Sequence, residues 1–147
     1  MTVRLQSLLW VGAQFALVAL MLWWSAPWRA STLAIGLAMA AVALALWVFM
    51  HNPPGNFNIR PEPRNGARLV TSGPYRRVRH PMYVALLLGT AAMAAAGSGD
   101  GSLWALWVLL ALVLNFKAAL EERLLEARFP EYRNYREHTR RFVPGLW

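Results

Sequence analysis

The sequence contains no cysteine and little charge of either sign. Its 147 residues include 7 Asp and Glu against 15 Lys and Arg, and charged residues make up 15% of the chain, whereas soluble domains carry roughly 25%. Without cysteine, no disulfide framework, thiolate nucleophile or Cys-based metal site can form, and we predict no bound metal. Alternating strand and helix patterns are missing too, and the glycine-rich turn at residues 97–101 lacks the GxGxxG spacing of a phosphate-binding loop. A Rossmann fold is therefore not expected.

The sequence is rich instead in long apolar runs. Hydrophobic residues make up 57% of the chain. Residues 5–24 and 32–50 carry no charge, and as helices each is long enough to cross a hydrocarbon core of roughly 30 Å. Residues 82–97 and 102–120 form two more apolar runs, the first of them short for a full crossing. We predict an all-α integral membrane helical bundle with about four transmembrane helices. A signal peptide explains the first run less well, because no small-residue cleavage site follows it.

The connecting segments complete the predicted layout of a single membrane domain. Prolines, glycines and asparagines exclude a helix in residues 51–68, where Phe57 and Ile59 provide apolar anchors for the membrane surface. The charged segment after the last apolar run is expected to be helical and broken at Pro130. The predicted division is: transmembrane helices at 5–24, 32–50, 82–97 and 102–120, a cytoplasmic connector at 51–81, and a cytoplasmic tail at 121–147.

The basic residues predict the orientation of the bundle. Of the 15 lysines and arginines, Arg29 alone, with Asp100, falls on the side opposite the others. The positive-inside rule then places both termini in the cytoplasm. Nucleic acid is not expected as a partner despite the net charge of +8, because the arginines flank apolar runs, where topology and anionic membrane lipids explain them.

One polar stretch, residues 69–83, separates the two apolar halves and reads LVTSGPYRRVRHPMY. The short turn at residues 97–101 joins the helix that follows this stretch to the last apolar helix, so the two helices are neighbours. The stretch at the start of the first helix should then lie near Lys117 and Glu121 at the end of the second. Donors, acceptors and both signs of charge would then meet in one corner, which suits a small zwitterionic ligand. The residues alone leave simpler explanations open: a Lys117–Glu121 salt bridge, a capping role for His80, and lipid-headgroup contacts for the arginines.

The string GPYRRVRHPMY, followed by a Glu-Glu pair, FPEYRNY and RFVP, resembles the isoprenylcysteine carboxyl methyltransferase family. The similarity covers residues 67–144. These integral membrane enzymes use S-adenosylmethionine, and relatives act on phospholipids and small thiols. The resemblance implies a cofactor pocket open to the cytosol, with the reactive methyl group facing the bilayer. The positions that it assigns to the cofactor are Arg68, Leu69, Val70, Tyr75, His80, Pro81, Met82, Tyr83 and Glu121.

The resemblance also implies a role for Lys117 in positioning the substrate. In the prenylcysteine enzymes an arginine one turn before the glutamate holds the substrate carboxylate, and Lys117 occupies that place here. Lysine is a point charge rather than a bidentate fork, so the acceptor stays open among a carboxylate, a thiol, an amine and a lipid headgroup. We further expect Arg79 to border the site, and Arg76 and Arg77 to serve the membrane surface.

Three alternatives belong to other functional classes. A non-catalytic membrane protein could bind anionic lipid or a partner through the basic face. A sterol-type membrane reductase would need a larger site for a nicotinamide dinucleotide. A transporter is less expected, because the first three apolar runs carry no central charge. The short, arginine-rich chain is typical of bacterial proteins, so we expect the bacterial inner membrane, membrane lipids as partners, and a small or lipophilic acceptor rather than a prenylated protein.

Overall fold

A computed structural model of the chain describes residues 2–25, 28–53, 56, 58–63, 65–97, 99 and 101–143. The helices in these residues are α1 (Val3–Trp24), α2 (Thr32–His51), α3 (Pro81–Ala96), α4 (Ser102–Arg128) and α5 (Tyr132–Glu137), with a short 3₁₀ helix at Gly73–Arg76. The predicted all-α fold class is confirmed. The membrane anchor expected at Phe57 and the charge of Asp100 lie outside the described residues.

Three of the helices are long and apolar enough to cross a membrane: α1, α2 and α4. The fourth predicted crossing is α3, which has 16 residues and is shorter than the other three. Large apolar side chains on the outer face of α2 are exposed, including Leu33, Met39 and Phe49. In water such a surface would be costly, whereas in a bilayer it faces lipid tails. The protein is therefore a membrane helical bundle.

Small side chains on α3 bring it close to α2. Ala85, Ala91 and Ala92 are all buried, and a Cβ added at Gly89 would lie 3.8 Å from Ala41 of α2. Membrane helices commonly associate through such small residues, because lipid gives them no hydrophobic drive to pack. Pro81 occupies the first turn of α3, where its missing N–H costs no hydrogen bond.

On the other side of the bundle α1 packs against α4. The rings of Trp10 and Phe116 stack with centroids 5.4 Å apart. Met21 of α1 is fully buried with Leu110 and Leu114 of α4 in the main apolar cluster. Aromatic stacking and burial of this kind fix how the two helices face each other.

The end of the described chain returns to the polar stretch, and we call residues 138–143 the C-terminal strap. Val78 and Arg140 form an isolated parallel β-bridge. The backbone N–H of Arg79 donates to the carbonyl of Arg140 at 2.7 Å, and that of His80 donates to the carbonyl of Arg141 at 3.2 Å. These backbone bonds hold the residues just before α3 in place.

Gly73, which opens the 3₁₀ helix, provides a test of this region. Its φ is +57°, and a Cβ at this position would clash with the imidazole ring of His51. We expect Gly73→Ala to lower the free energy of unfolding by about 1–3 kcal/mol, since a left-handed backbone is unfavourable for alanine. Thermal unfolding in detergent measures the change. Gly12→Ala on α1 is the control and should cost nothing, because an added Cβ would meet no atom of another element within 4 Å among the described residues. Equal stability of the two variants would contradict the prediction.

Candidate active site

A cavity lies at the end of the bundle where the connector after α2, the start of α3, the end of α4 and α5 meet. The space between these elements is about 860 Å³, part of which is open solvent at the mouth of the cavity. All the positions assigned to the cofactor by resemblance line it: Arg68, Leu69, Val70, Tyr75, His80, Pro81, Met82, Tyr83 and Glu121. The structure therefore brings these residues together around one space, and their binding of a cofactor stays a prediction.

Glu121 contributes a carboxylate that is held in place at the cavity wall. The hydroxyl of Tyr83 donates to its Oε2 at 2.7 Å, and Nδ1 of His80 lies 3.7 Å from the same oxygen. The rings of His80 and Tyr83 stack nearly parallel, with centroids 5.2 Å apart. The predicted proximity of the polar stretch to Glu121 thus takes the form of direct side-chain contacts. A carboxylate oriented in this way can accept hydrogen bonds from a cationic ligand.

Glu122, the second residue of the pair, has a different environment. Its side chain is 3% exposed, with Oε1 2.9 Å from Nε of Arg79 and Oε2 2.7 Å from Nη2 of Arg141. Nε2 of His80 lies 3.3 Å from Oε1 as well. Arg79 borders the cavity as predicted, but its guanidinium is committed to Glu122 and to the carbonyl of Thr139. Sequence reasoning did not identify Glu122 or Arg141 as members of this network.

Four aromatic side chains form one side of the cavity, and we call them the aromatic wall. They are Tyr75, Phe129, Tyr132 and Tyr135. The hydroxyl of Tyr135 donates to the carbonyl of Tyr75 at 2.7 Å, and the rings of Tyr132 and Tyr135 meet edge to face at 5.7 Å. Burial, reinforced by the charge of Glu122, raises the pKa of Tyr132 well above its ordinary value, so its hydroxyl keeps its proton. Only Tyr75 of this wall was predicted, although the spacing of three residues from Phe129 to Tyr135 was a signal for the others.

The connector also supplies polar lining residues, which are Asn56, Arg60 and Glu62. Asn56 fixes the connector through paired bonds: its Nδ2 donates to the carbonyl of Arg68 at 2.7 Å, and the N–H of Arg68 donates to its Oδ1 at 2.9 Å. Glu62 Oε2 is buried and has no hydrogen-bond partner among the described residues. The sequence indicated a non-helical segment here but not these contacts.

Lys117 does not line this cavity. It is 2% exposed and lies between α1 and α4, where its Nζ donates to Oε1 of Gln14 at 2.6 Å. The ammonium also sits 5.1 Å from the centroid of the Tyr83 ring, within cation–π range. The alternative of a Lys117–Glu121 salt bridge is replaced by this bond to Gln14. The structure thus places Lys117 behind the cavity wall, and its role in positioning the substrate stays a prediction.

Two substitutions test whether Lys117 serves substrate or helix packing. We expect Lys117→Met to leave the affinity for S-adenosylhomocysteine and the KM of the acceptor within about threefold of wild type, because the side chain of Lys117 does not line the cavity. Gln14→Leu should cost about 1–3 kcal/mol of stability, since it leaves the ammonium without its acceptor. Calorimetry and thermal unfolding provide the measurements. A large rise in the acceptor KM with Lys117→Met would restore the predicted substrate role.

Comparison with known proteins supports the resemblance. The model of the phospholipid methyltransferase family matches residues 31–132, from α2 to the start of α5. The cobalt-zinc-cadmium resistance protein CzcN of Cupriavidus metallidurans is 33% identical over 127 residues, which cover 84% of this chain and 54% of that protein. The nickel-cobalt-cadmium resistance protein NccN of Alcaligenes xylosoxydans xylosoxydans is 35% identical over 85 residues, which cover 56% of this chain and 39% of that protein.

The chain thus spans about half the length of the curated relatives it matches. The family match takes in more than half of the chain, including the polar stretch and most of the cavity wall. The expected kinship with membrane methyltransferases of the isoprenylcysteine carboxyl methyltransferase type is confirmed at the level of the family: the chain belongs to the phospholipid methyltransferase family.

Proposed function

We propose that the protein is a membrane methyltransferase that takes a methyl group from S-adenosylmethionine and transfers it to a small or lipophilic acceptor reached from the bilayer. One observation carries this proposal. In a chain of a methyltransferase family, the positions that the resemblance assigns to the cofactor all line a single cavity at one end of the bundle. A scattered arrangement of the same residues would have argued against a shared ligand.

The chemistry of the cavity wall fits such a cofactor. The amino-acid portion of S-adenosylmethionine carries an ammonium and a carboxylate. The wall offers the carboxylates of Glu62 and Glu121 for the first and the guanidinium of Arg68 for the second. The buried oxygen of Glu62 that has no partner among the described residues gives an acceptor for the ammonium. The aromatic wall suits a flat heterocyclic base. Both halves of the molecule therefore find matching groups.

The residues of this chain have a modest task in the reaction. When bound, the cofactor supplies an electrophilic methyl group on a sulfonium. The residues of the cavity wall hold and orient the two reactants. An in-line transfer needs the methyl group and the acceptor atom about 3–3.5 Å apart. Catalysis on this account comes from positioning rather than from an acid or base side chain.

An apolar groove supports access from the bilayer. It runs between α2 and α3 and meets the cavity at Met82, which lines both. The remaining groove residues are Ala41, Val42, Ala45, Val48, Phe49, Ala85 and Leu86. Phe49 and Val42 are exposed on the surface that faces lipid. A lipophilic acceptor could thus lie along the groove with its reactive group at Met82.

We further propose that the cavity and both termini are cytoplasmic, in the inner membrane of a bacterium. The arginines that flank the cavity support this orientation, because such residues favour the cytoplasmic side. Arg76 and Arg77 are exposed near the cavity, whereas Arg29 follows the opposite end of α1. The relatives CzcN and NccN are bacterial proteins.

Calorimetry of the purified protein with S-adenosylhomocysteine tests the proposal. We expect saturable binding, followed by transfer of a labelled methyl group from S-adenosylmethionine to a compound in a panel of lipids, amines, thiols and carboxylates. The panel is broad because the names of the relatives concern metal resistance and indicate no acceptor. Absence of S-adenosylhomocysteine binding by the wild-type protein would reject the methyltransferase proposal.

The same experiment separates this function from non-catalytic lipid binding. The double variant Arg76→Ala, Arg77→Ala removes two exposed charges that do not line the cavity. It should bind S-adenosylhomocysteine like wild type if the cavity holds the cofactor. If the protein is only a lipid-binding membrane protein, this variant should instead weaken binding to vesicles of anionic phospholipid, and the wild type should bind no S-adenosylhomocysteine.

A further inference from the structure

The hydroxyl of Tyr132 has an environment that the fold does not explain. Tyr132 is 1% exposed, and its Oη is buried without a hydrogen-bond partner among the described residues. Buried polar atoms in folded proteins nearly always have a partner. The hydroxyls of Tyr83 and Tyr135 follow this rule, since they donate to Glu121 and to the carbonyl of Tyr75. A phenylalanine at position 132 would fill the same space without leaving a polar atom unsatisfied.

The position of Tyr132 in the cavity suggests what completes its hydrogen bonding. It belongs to the aromatic wall, next to Phe129 and Tyr135. The charged groups that suit the amino-acid portion of a cofactor are Glu62 and Arg68 of the connector and Glu121 of α4. The cavity thus combines these charged groups with the aromatic wall, on which the hydroxyl of Tyr132 has no partner among the described residues. A planar base with polar atoms on its edge has the chemistry that this wall recognises.

We propose that Tyr132 binds the nucleobase of the cofactor through a hydrogen bond between its hydroxyl and the edge of the adenine ring. This inference rests on the proposed function. It assigns the end of α4 and the start of α5 to base recognition, and it gives Tyr132 a role in specificity that a purely structural tyrosine would not have. The base lies against the aromatic wall, and the hydroxyl distinguishes adenine from bases with a different pattern of donors and acceptors.

The test compares wild type with Tyr132→Phe, which removes only the oxygen. Without ligand, Tyr132→Phe should unfold at the same or a higher temperature, because it eliminates a buried unsatisfied group. Its affinity for S-adenosylhomocysteine should fall by about tenfold, as expected for the loss of one hydrogen bond in a dry site. The matched control Tyr135→Phe removes a hydroxyl that has a protein partner, so it should lower the unfolding temperature.

Analogues of S-adenosylhomocysteine identify the atom that the hydroxyl contacts. Each analogue is altered at one edge position of the base: N1, N3, N6 or N7. In wild type one analogue should bind about tenfold more weakly than the parent compound, and in Tyr132→Phe that difference should disappear. Undiminished affinity of Tyr132→Phe for the parent, or analogue penalties that are the same in both proteins, would overturn the assignment. In either of those cases wild-type binding would still support the cofactor site, whereas no wild-type binding would reject the proposed function itself.

Discussion

Glu122→Ala is expected to lower the free energy of unfolding by about 3–5 kcal/mol, as when one member of a buried ion network is removed. The carboxylate is 3% exposed and forms ion pairs with Arg79 and Arg141, whose side chains are themselves only 10% and 16% exposed. Alanine would leave both guanidinium groups with no counter-charge in a poorly hydrated region. The cost comes chiefly from the charges that remain, rather than from the contacts that are lost.

Thermal unfolding in detergent checks this prediction, with Glu126→Ala as the control. Glu126 is a carboxylate on the same helix, and it also pairs with two arginines, Arg133 and Arg136. Its side chain is 32% exposed and those of its partners are 79% and 50% exposed, so solvent screens the pairs and their loss should cost about 0–1 kcal/mol. Similar losses from Glu122→Ala and Glu126→Ala would show that burial of the Glu122 network does not matter.

The network also explains how the C-terminal strap holds the cavity together. Arg141 donates to Glu122 of α4 and to Oδ1 of Asn115, while Phe142 packs near the rings of His80 and Tyr83. The backbone bonds from Arg79 and His80 to the strap add to these contacts. The residues of the polar stretch are therefore fixed from outside by a segment that follows α5. Stability and shape of the cavity are coupled through Glu122.

The helices could be predicted from the sequence because each depends on a local property. Uncharged runs of membrane length and the prolines and glycines between them mark α1, α2 and the connector. The shortness of α3 was also visible as a short apolar run. Its small side chains allow close approach to α2 without identifying which residue meets which, so that packing became known only from the structure.

The contacts that shape the cavity could not be predicted in the same way. Glu122 meets Arg79 and Arg141, and Lys117 meets Gln14, across long separations in sequence and without any periodic pattern. The pairing of the strap with Val78 uses backbone atoms, which leave no trace in residue type. Lys117 illustrates the limit, since its place one turn before Glu121 gave no sign of its bond to Gln14 of α1.

The second large effect is expected at Glu121, where the loss should appear in binding rather than in stability. Glu121→Gln should weaken the affinity for S-adenosylhomocysteine by roughly tenfold to a hundredfold, because hydrogen bonds to a charged group contribute about 1.5–3 kcal/mol. The Tyr83 hydroxyl can still donate to the amide oxygen, so the unfolding temperature should change little. Calorimetry and thermal unfolding on the same preparation give both quantities.

The neighbouring variant Glu122→Gln makes this comparison specific. The two substitutions remove the same charge from consecutive residues, but Glu121 lines the cavity and Glu122 is enclosed by Arg79, His80 and Arg141. Glu121→Gln should therefore bind S-adenosylhomocysteine more weakly at a nearly unchanged unfolding temperature. Glu122→Gln should show its main effect as a lower unfolding temperature. Tyr83→Phe, which keeps the carboxylate of Glu121 and removes its donor, should weaken binding by a smaller factor. Wild-type affinity in Glu121→Gln would remove Glu121 from the cofactor site, even if the protein proved to be a methyltransferase.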